Sequence, residues 1–350
     1  MTPVVSLVLV SYGSSAEATA AVESFRADSR RANAVCEVVI VDHDGSEDEG
    51  ARLRRLAPDR LVVRPNRGYA AGVNAGVAAA RAPAVLVGNP DVVFRPGSVG
   101  ALLDALGEGW DVVGPQFTLG DFLFPPSDVQ TPGEQLVRFL ASRSRFVWRR
   151  HVRRELRRWR RGWEATAPVA MPTLSGALLA FRRSAFDRVG PWDEGYFLYF
   201  EETDWLRRAA ARRQRIAQVP AARVEHLYGH AVGPHEIASH YLASRDRFLR
   251  LHFGWRGRLA RRLRIGDSPL HPAPFPPDPK ALPSGALYWL LSPTALGLPA
   301  WGWRGDGAGV RAALGVFSEA RGARARYTLL AVVPDSGRVL AQFWWEGGDG

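Results

Sequence analysis

At 350 residues, 46% of them hydrophobic and 10% aromatic, the chain can bury a sizeable core and form one large domain or two ordinary ones, which excludes intrinsic disorder. Its formal charge of +11 points toward polyanionic partners, yet Lys280 is the only lysine, so the excess reads as an arginine bias and only local clusters are informative. A single cysteine, Cys36, excludes an internal disulfide and fits a reducing compartment.

The first residues, MTPVVSLVLVSYG, lack a basic leader, and their apolar run is too short for a signal peptide. The longest apolar stretch, Ala286 to Trp301, is interrupted by Ser292, Pro293 and Pro299 and falls short of a spanning helix. A cytoplasmic protein is expected, soluble or peripheral at the inner face of a membrane.

In chain order, Val4–Val10 reads as a buried strand, Ser14–Arg31 as a helix, and Cys36–Val41 as a second strand. Leu61–Arg64 is a third, short strand. Asn66–Ala80 starts with glycines and continues as an Ala-rich helix. Ala84–Val87 is a fourth strand, Leu102–Leu106 is helical, and Asp111–Gly114 is a further strand. Alternating strands and helices in short apolar runs predict an α/β fold, a Rossmann-like, mostly parallel sheet with helices on both faces. Ligands sit at the C-terminal strand edges of such sheets. The polar residues Ser11, Tyr12, Asp42, Asn66, Asn89 and Asp91 fall at those edges. No G-x-G-x-x-G follows the first strand and no P-loop motif occurs.

Phe146–Trp163 predicts a basic amphipathic helix, with Trp148, Val152, Leu156, Trp159 and Trp163 on one side and arginines on the other. The pattern suits an anionic membrane surface or a lipid phosphate; it equally suits a docked helix with a solvated arginine face. No reading motif for nucleic acid accompanies the charge, and none is expected as a partner. Met171–Arg182 reads as a strand or loop-to-strand, in which Ser175 and Gly176 leave room for a ligand.

Gly190–Arg207 carries five carboxylates, Asp193, Glu194, Glu201, Glu202 and Asp204, among a cluster of aromatics. Carboxylates among aromatics are partly desolvated, which raises their pKa and readies one to accept a proton. The same acids also read as the N-cap of a helix through LRRAAARR. Ile216–His226 reads as a strand pair ending on a histidine, and His235–Ile265 as one or two basic helices. Asp267–Pro283 is Pro-rich and irregular, Gly307–Arg321 helical with Gly322 as its stop, and Tyr327–Trp345 a hairpin whose second strand could pair across a homodimer. The division expected is 1–232, split into a nucleotide half 1–115 and an acceptor half 116–232, followed by a smaller, mainly helical region 233–350 that ends in the hairpin.

Five blocks in order, VSYG, VDHDGSED, NRGYAAGVNAG, NPDV and SGALLAFRRSAFDRVGPWDEGYFLYFEETDWLRR, resemble glycosyltransferase family 2, the inverting GT-A enzymes, and most closely its rhamnosyltransferase-like branch. The resemblance spans roughly residues 4 to 230. It implies a transferase taking a sugar from a nucleotide-diphosphate sugar, dTDP-rhamnose as first choice, to a hydroxyl of a lipid-linked glycan or natural product. By this resemblance Ser11, Tyr12, Asp42, Asn66, Gly68, Gly72, Asn74, Asn89 and Asp91 bind the nucleotide sugar. Asp91 and His226 hold a divalent metal, Mg2+ or Mn2+. Glu202 is the general base, standing where the family has Asp, with Glu201 and Asp204 beside it. Ser175, Gly176, Trp192, Glu201 and Trp205 line the acceptor. Two other readings stay open on residues alone, a sugar nucleotidyltransferase and a catalytically silent basic module for membranes or nucleic acid.

Overall fold

The structure is a computed structural model that describes residues 2–227, 234–266, 269, 271–276, 282–321 and 326–346. Its elements run β1 (Val5–Ser11), α1 (Ser15–Arg31), β2 (Cys36–Asp42), α2 (Glu47–Arg55), β3 (Arg60–Val63), α3 (Tyr69–Ala79), β4 (Ala84–Gly88), β5 (Val92–Phe94), α4 (Ser98–Gly107) and β6 (Val112–Leu119). Next come β7 (Phe122–Leu123), α5 (Pro132–Ala141), α6 (Arg145–Trp163), β8 (Val169–Ala170), β9 (Leu178–Arg182), α7 (Arg183–Val189), α8 (Glu201–Ala211) and β10 (Ile216–His226). The chain ends with α9 (Pro234–Ala260), β11 (Ala273–Pro274), β12 (Leu287–Ser292), β13 (Trp301–Gly305), α10 (Gly307–Arg321), β14 (Arg326–Val332) and β15 (Val339–Glu346).

Two compact units emerge, one from Met1–Phe117 with Ala165–Leu251, the other from Thr118–Glu164 with His252–Gly350. The segment 118–164, read above as part of the acceptor half, packs with the C-terminal residues instead. Trp148, Val152, Leu156 and Trp159 of α6 share a core with Tyr288, Leu290, Leu330 and Val332. The break expected at 232/233 lies outside the described residues, as does the stop expected at Gly322.

In the first unit, β1 and β2 are buried on both faces because every position of VSLVLVS, and nearly every one of CEVVIVD, is covered. The strand order is β3-β2-β1-β4-β9-β6, parallel from β3 to β4. Pairing of β1 with β2 sets Ser11 opposite Asp42. β9 runs antiparallel to β4, with Gly88 opposite Leu178, so the start of β9 arrives at the edge where β4 ends. An apolar run such as LLAF carries no direction, and this reversal was not foreseen. The stretch 216–226, read as a strand pair, is one strand of 11 residues. β10 pairs antiparallel with β5, His226 opposite Val92. Helix α3 lies close on the sheet because Gly72 and Gly76 have no side chain: a Cβ there would fall 2.6 Å from Val10 Cγ1 and 2.2 Å from Val8 Cγ1.

In the second unit the apolar stretch before Trp301 becomes β12, which pairs antiparallel with β13 and β14, and β14 continues into the expected hairpin with β15. The outer edge of β15 carries β11 at Phe343 and Trp344, so that part of the edge expected to pair across a dimer is already occupied. The α9 segment is two helices joined at Gly254, whose φ of 52° and ψ of −125° leave the helical region. Among the described residues, no helix is long and apolar enough to cross a membrane.

Candidate active site

The loops after β1, β2 and β4 present their polar residues at one sheet edge. Ser11 is fully buried, its hydroxyl 3.0 Å from that of Ser14, while the ring of Tyr12 is 48% exposed. The Asp42 carboxylate closes an Asx turn, Oδ1 accepting the N–H of Asp44 at 2.9 Å and of Gly45 at 3.2 Å. Its Oδ2 is buried without a hydrogen-bond partner. A buried carboxylate oxygen left over after the turn is satisfied calls for a donor from a ligand.

The N-R-G-Y turn is stitched to the aromatic loop that precedes α8. Asn66 Oδ1 accepts the Gly68 N–H, and Tyr69 N–H donates to the Phe197 carbonyl at 2.8 Å. Gly68 has φ of 97°, and a Cβ there would lie 2.6 Å from the same carbonyl oxygen, so no other residue fits without strain. Two residues expected at the nucleotide turn toward protein instead. Gly72 packs on Val10 and on His43. The Asn74 side chain grips the Trp192 backbone, accepting its N–H at 2.9 Å and donating to its carbonyl at 3.0 Å.

Asp91 lies just before β5, buried, with Oδ1 3.3 Å from His226 Nε2. The Leu227 N–H also donates to the Asp91 carbonyl at 3.0 Å. One carboxylate and one imidazole at this separation are a fitting pair of ligands for a divalent cation, whose neighbouring donors at ~2.1 Å stand about 3 Å apart. Asn89, partly buried, donates its backbone N–H to the Ala177 carbonyl at 2.9 Å. A different group, Glu134, His151 and Glu155 in the second unit, also has ligand atoms within 4.8 Å of one another. Arg154 pairs with both glutamates and Arg158 with Glu155, so the local charge is already balanced. Burial and the nearby Arg154 and Arg138 push His151 down to about 4.

The acidic block divides its labour. Asp193 pairs with Arg247 at 2.7 Å, and Glu194 accepts from Asn74 at 3.0 Å. Asp204, expected beside the base, is bound by Arg208 at 2.8 Å, and that guanidinium holds the carbonyls of Val189 and Pro191. Its role is to fasten the loop. Trp192 and Trp205, expected at the acceptor, are core residues: they are 1% and 0% exposed, and the Trp205 indole donates to the Gly190 carbonyl. Two consecutive aromatics, Tyr199 and Phe200, have φ of 70° and 69° at the start of α8. Such backbone costs on the order of 1–3 kcal/mol per residue and persists only where surroundings enforce it. Here Ser244 holds the Leu198 carbonyl, and Phe200 packs on Tyr241 and Phe248.

That strained turn delivers Glu201 and Glu202. Glu201 is 4% exposed, with Oε2 unpartnered, and burial followed by repulsion from Glu202 lifts it well above the carboxylate range. Glu202 is partly buried, accepts from Thr203 Oγ1 at 3.2 Å, and is raised by its enclosure in protein. Gly176 makes its space: a Cβ there would lie 2.8 Å from Glu202 Cγ. Ser175 caps the same turn through the Ala177 N–H at 3.3 Å. Glu202 thus rests on Gly176, whose neighbour Ala177 is bonded to Asn89, two residues before Asp91. Tyr69, which sequence reasoning quoted but gave no role, sits among these groups. Its hydroxyl is buried without a partner, and burial, then Glu201, Glu202 and Asp91, raise it well above the ordinary phenol value.

The family described as Glycosyl transferase family 2 matches residues 6–190. The chain belongs to glycosyltransferase family 2. It is 31% identical over 239 residues to the N-acetylglucosaminyl-diphospho-decaprenol L-rhamnosyltransferase of Mycobacterium tuberculosis (strain CDC 1551 / Oshkosh), covering 62% of this chain and 76% of that protein. It is 43% identical over 83 residues to the succinoglycan biosynthesis protein ExoU of Rhizobium meliloti (strain 1021), a match of 22% of this chain and 23% of that protein. Among solved structures it is similar to GalNAc-T7 with UDP, GalNAc and Mn2+, at a TM-score of 0.50 and 16% identity over 76% of this chain and 52% of the other. That likeness is one of fold, the GT-A arrangement of a sheet flanked by helices. The chain is therefore a rhamnosyltransferase-like family 2 transferase, and the polar sheet edge is where its chemistry is to be sought.

Proposed function

We propose that this family 2 enzyme is an inverting transferase moving a sugar, rhamnose from dTDP-rhamnose as first choice, onto a hydroxyl of a lipid-linked N-acetylglucosaminyl diphosphate at the cytoplasmic face of a membrane. The observation that carries it is the seat of Glu202: a carboxylate of raised pKa, set in the notch left by Gly176, on the turn bonded to the Asn89–Asp91 loop. The acceptor resembles the one in the name of the mycobacterial relative.

In this reading Asp42 Oδ2 accepts a hydrogen bond from the base or ribose, since a pyrimidine imide N–H or a sugar hydroxyl supplies the missing donor. Asp91 and His226 would hold a divalent cation, which when bound neutralises charge on the departing diphosphate. The acceptor oxygen attacks the anomeric carbon on the face opposite the diphosphate. Its proton passes to Glu202 as the sugar–phosphate bond breaks, and configuration inverts. A base with a raised pKa is better matched to a hydroxyl proton than an ordinary carboxylate. Glu201, deeper and raised by Glu202 as well, retains the proton of the pair and serves as a neutral hydrogen-bonding group.

The test is transfer from dTDP-rhamnose to a short-chain N-acetylglucosaminyl diphosphate acceptor, with the product's anomeric configuration read by NMR. Inversion is expected, together with a loss of at least ~10² in turnover for Glu202→Gln at unchanged donor affinity. Retention of configuration, or near-normal turnover in that variant, would remove Glu202 from this role.

A further inference from the structure

We propose that the outer face of α6 is a docking surface for anionic phospholipid, and that arginines make the contact, without the tryptophans. Trp148 and Trp159 are 0% and 1% exposed and belong to the core of their unit, so these indoles are not available to a bilayer. On the opposite side Arg149, Arg150, Arg153, Arg157 and Arg161 are exposed. At 3.6 residues per turn these five, with Phe146 among them, fall within roughly a 120° arc. Phe146 is 69% exposed, with the Arg150 guanidinium 5.6 Å from its ring centre.

Arginine bias accounts for the number of these residues and leaves their company unexplained. The chain has 35 acidic residues, and other arginines of the helix use them: Arg154 with Glu134 and Glu155 and Arg158 with Asp128 beside this arc, and Arg160, partly buried within it, with Glu164. Among the described residues, none of the five on the arc has an acidic partner. Arg149, Arg153, Arg157 and Arg161 follow one another at four-residue spacing, where like charges destabilise a helix. A face that keeps three such repulsive pairs in a row has a polyanion to meet.

Its form favours a membrane. From Phe146 to Arg161 the row is about 22 Å long at 1.5 Å per residue. The β14–β15 turn touches it at Arg153 through Gly337, and the five arginines stay exposed along the helix, which suits many headgroups side by side better than one enclosed phosphate. An exposed phenylalanine amid arginines is the pairing that seats a helix at the headgroup boundary. The purpose rests on the lipid-linked acceptor proposed above: an enzyme held at the bilayer meets its acceptor in two dimensions.

The experiment is co-sedimentation of the full chain with vesicles of mixed phosphatidylglycerol and phosphatidylcholine, against phosphatidylcholine alone, at low and high salt. Binding is expected to the anionic vesicles only and to fall with salt. Each arginine near an anionic surface contributes about fivefold, so a variant with Arg149, Arg153, Arg157 and Arg161 all changed to Gln should lose on the order of several hundredfold. The four-lysine counterpart should retain binding, and both variants should keep wild-type thermal midpoints and wild-type turnover on the water-soluble short-chain acceptor. Equal vesicle binding by wild type and the Gln variant would overturn the proposal, as would equal binding to neutral vesicles. So would tighter binding of duplex DNA through the same arginines, or loss of soluble turnover in the Gln variant. Wild-type turnover on that acceptor reports on the transfer reading separately, because it needs no membrane.

Discussion

Gly176→Ala isolates the placement of Glu202 from its chemistry. The backbone at Gly176 lies outside the left-handed region, so alanine meets no conformational barrier. Its methyl would stand 2.8 Å from Glu202 Cγ and 3.1 Å from Cβ and Cδ. Carbon atoms rest at about 3.5–4.0 Å, so the glutamate must retreat by roughly 0.7–1.2 Å. A displacement of that size at a reacting group costs on the order of 10² in rate. Turnover should therefore fall about 100-fold, while the thermal midpoint and the donor dissociation constant, read by calorimetry, stay near wild type. The decisive comparison is with Glu202→Gln. If both changes act through one carboxylate, the double variant is no slower than Glu202→Gln alone. Wild-type turnover in a folded Gly176→Ala protein, or losses that multiply in the double variant, would refute the reasoning.

Asp91→Asn and His226→Ala should each erase most of the gain in donor affinity that Mn2+ confers over EDTA in calorimetry, by more than the ~10–100-fold typical of outer-shell partners; an unchanged gain in both would dismiss the pair as ligands. Glu201 is raised in the folded state, so its contribution to stability is complete at acid pH and is lost as pH climbs from the ordinary glutamate value through the raised one. Glu201→Gln escapes that loss, and its advantage in thermal midpoint over wild type should grow from pH 4 toward neutrality; a difference that stays flat with pH counts against a buried protonated Glu201.

The parallel half of the sheet was legible because strands covered on both faces must be continuous apolar runs, and polar residues can then collect only at their ends. That logic reached Ser11, Asp42 and Asp91 with no knowledge of contacts. It could not reveal that β9 is antiparallel, since the pattern of LLAFR is the same in both directions, yet this reversal is what brings Gly176 to the Asn89 loop. Asn74 stands at the nucleotide only by resemblance; its side chain is bonded to the Trp192 backbone, 118 residues away, a partner that local sequence does not reveal. The two tryptophans of the acidic block stand at the acceptor only by resemblance; in space Trp192 packs between Tyr69 and Trp205. Helix α2 passed unseen because only Glu49, Gly50 and Leu53 of its nine residues are buried, too few to set a period.

The arrangement of the acidic block explains how five carboxylates can share one short segment. Left bare, they would repel one another and raise each other's pKa. Arg247 and Arg208 cancel two of them, and both guanidiniums are spent on the loop that precedes α8: Arg247 on Asp193 and over the Tyr196 ring, Arg208 on Asp204 and two carbonyls. Glu194 takes an amide from Asn74, which is itself locked to Trp192. Burial holds Glu201 toward its neutral form. Among the described residues, Glu201 and Glu202 are the two of the five with neither a cation nor an amide side chain beside them: Glu201 has an unpartnered Oε2, and Glu202 has only the Thr203 hydroxyl. The charges around Glu202 therefore serve as fasteners of a strained turn, and the negative charge that survives is concentrated on the one side chain for which Gly176 leaves room.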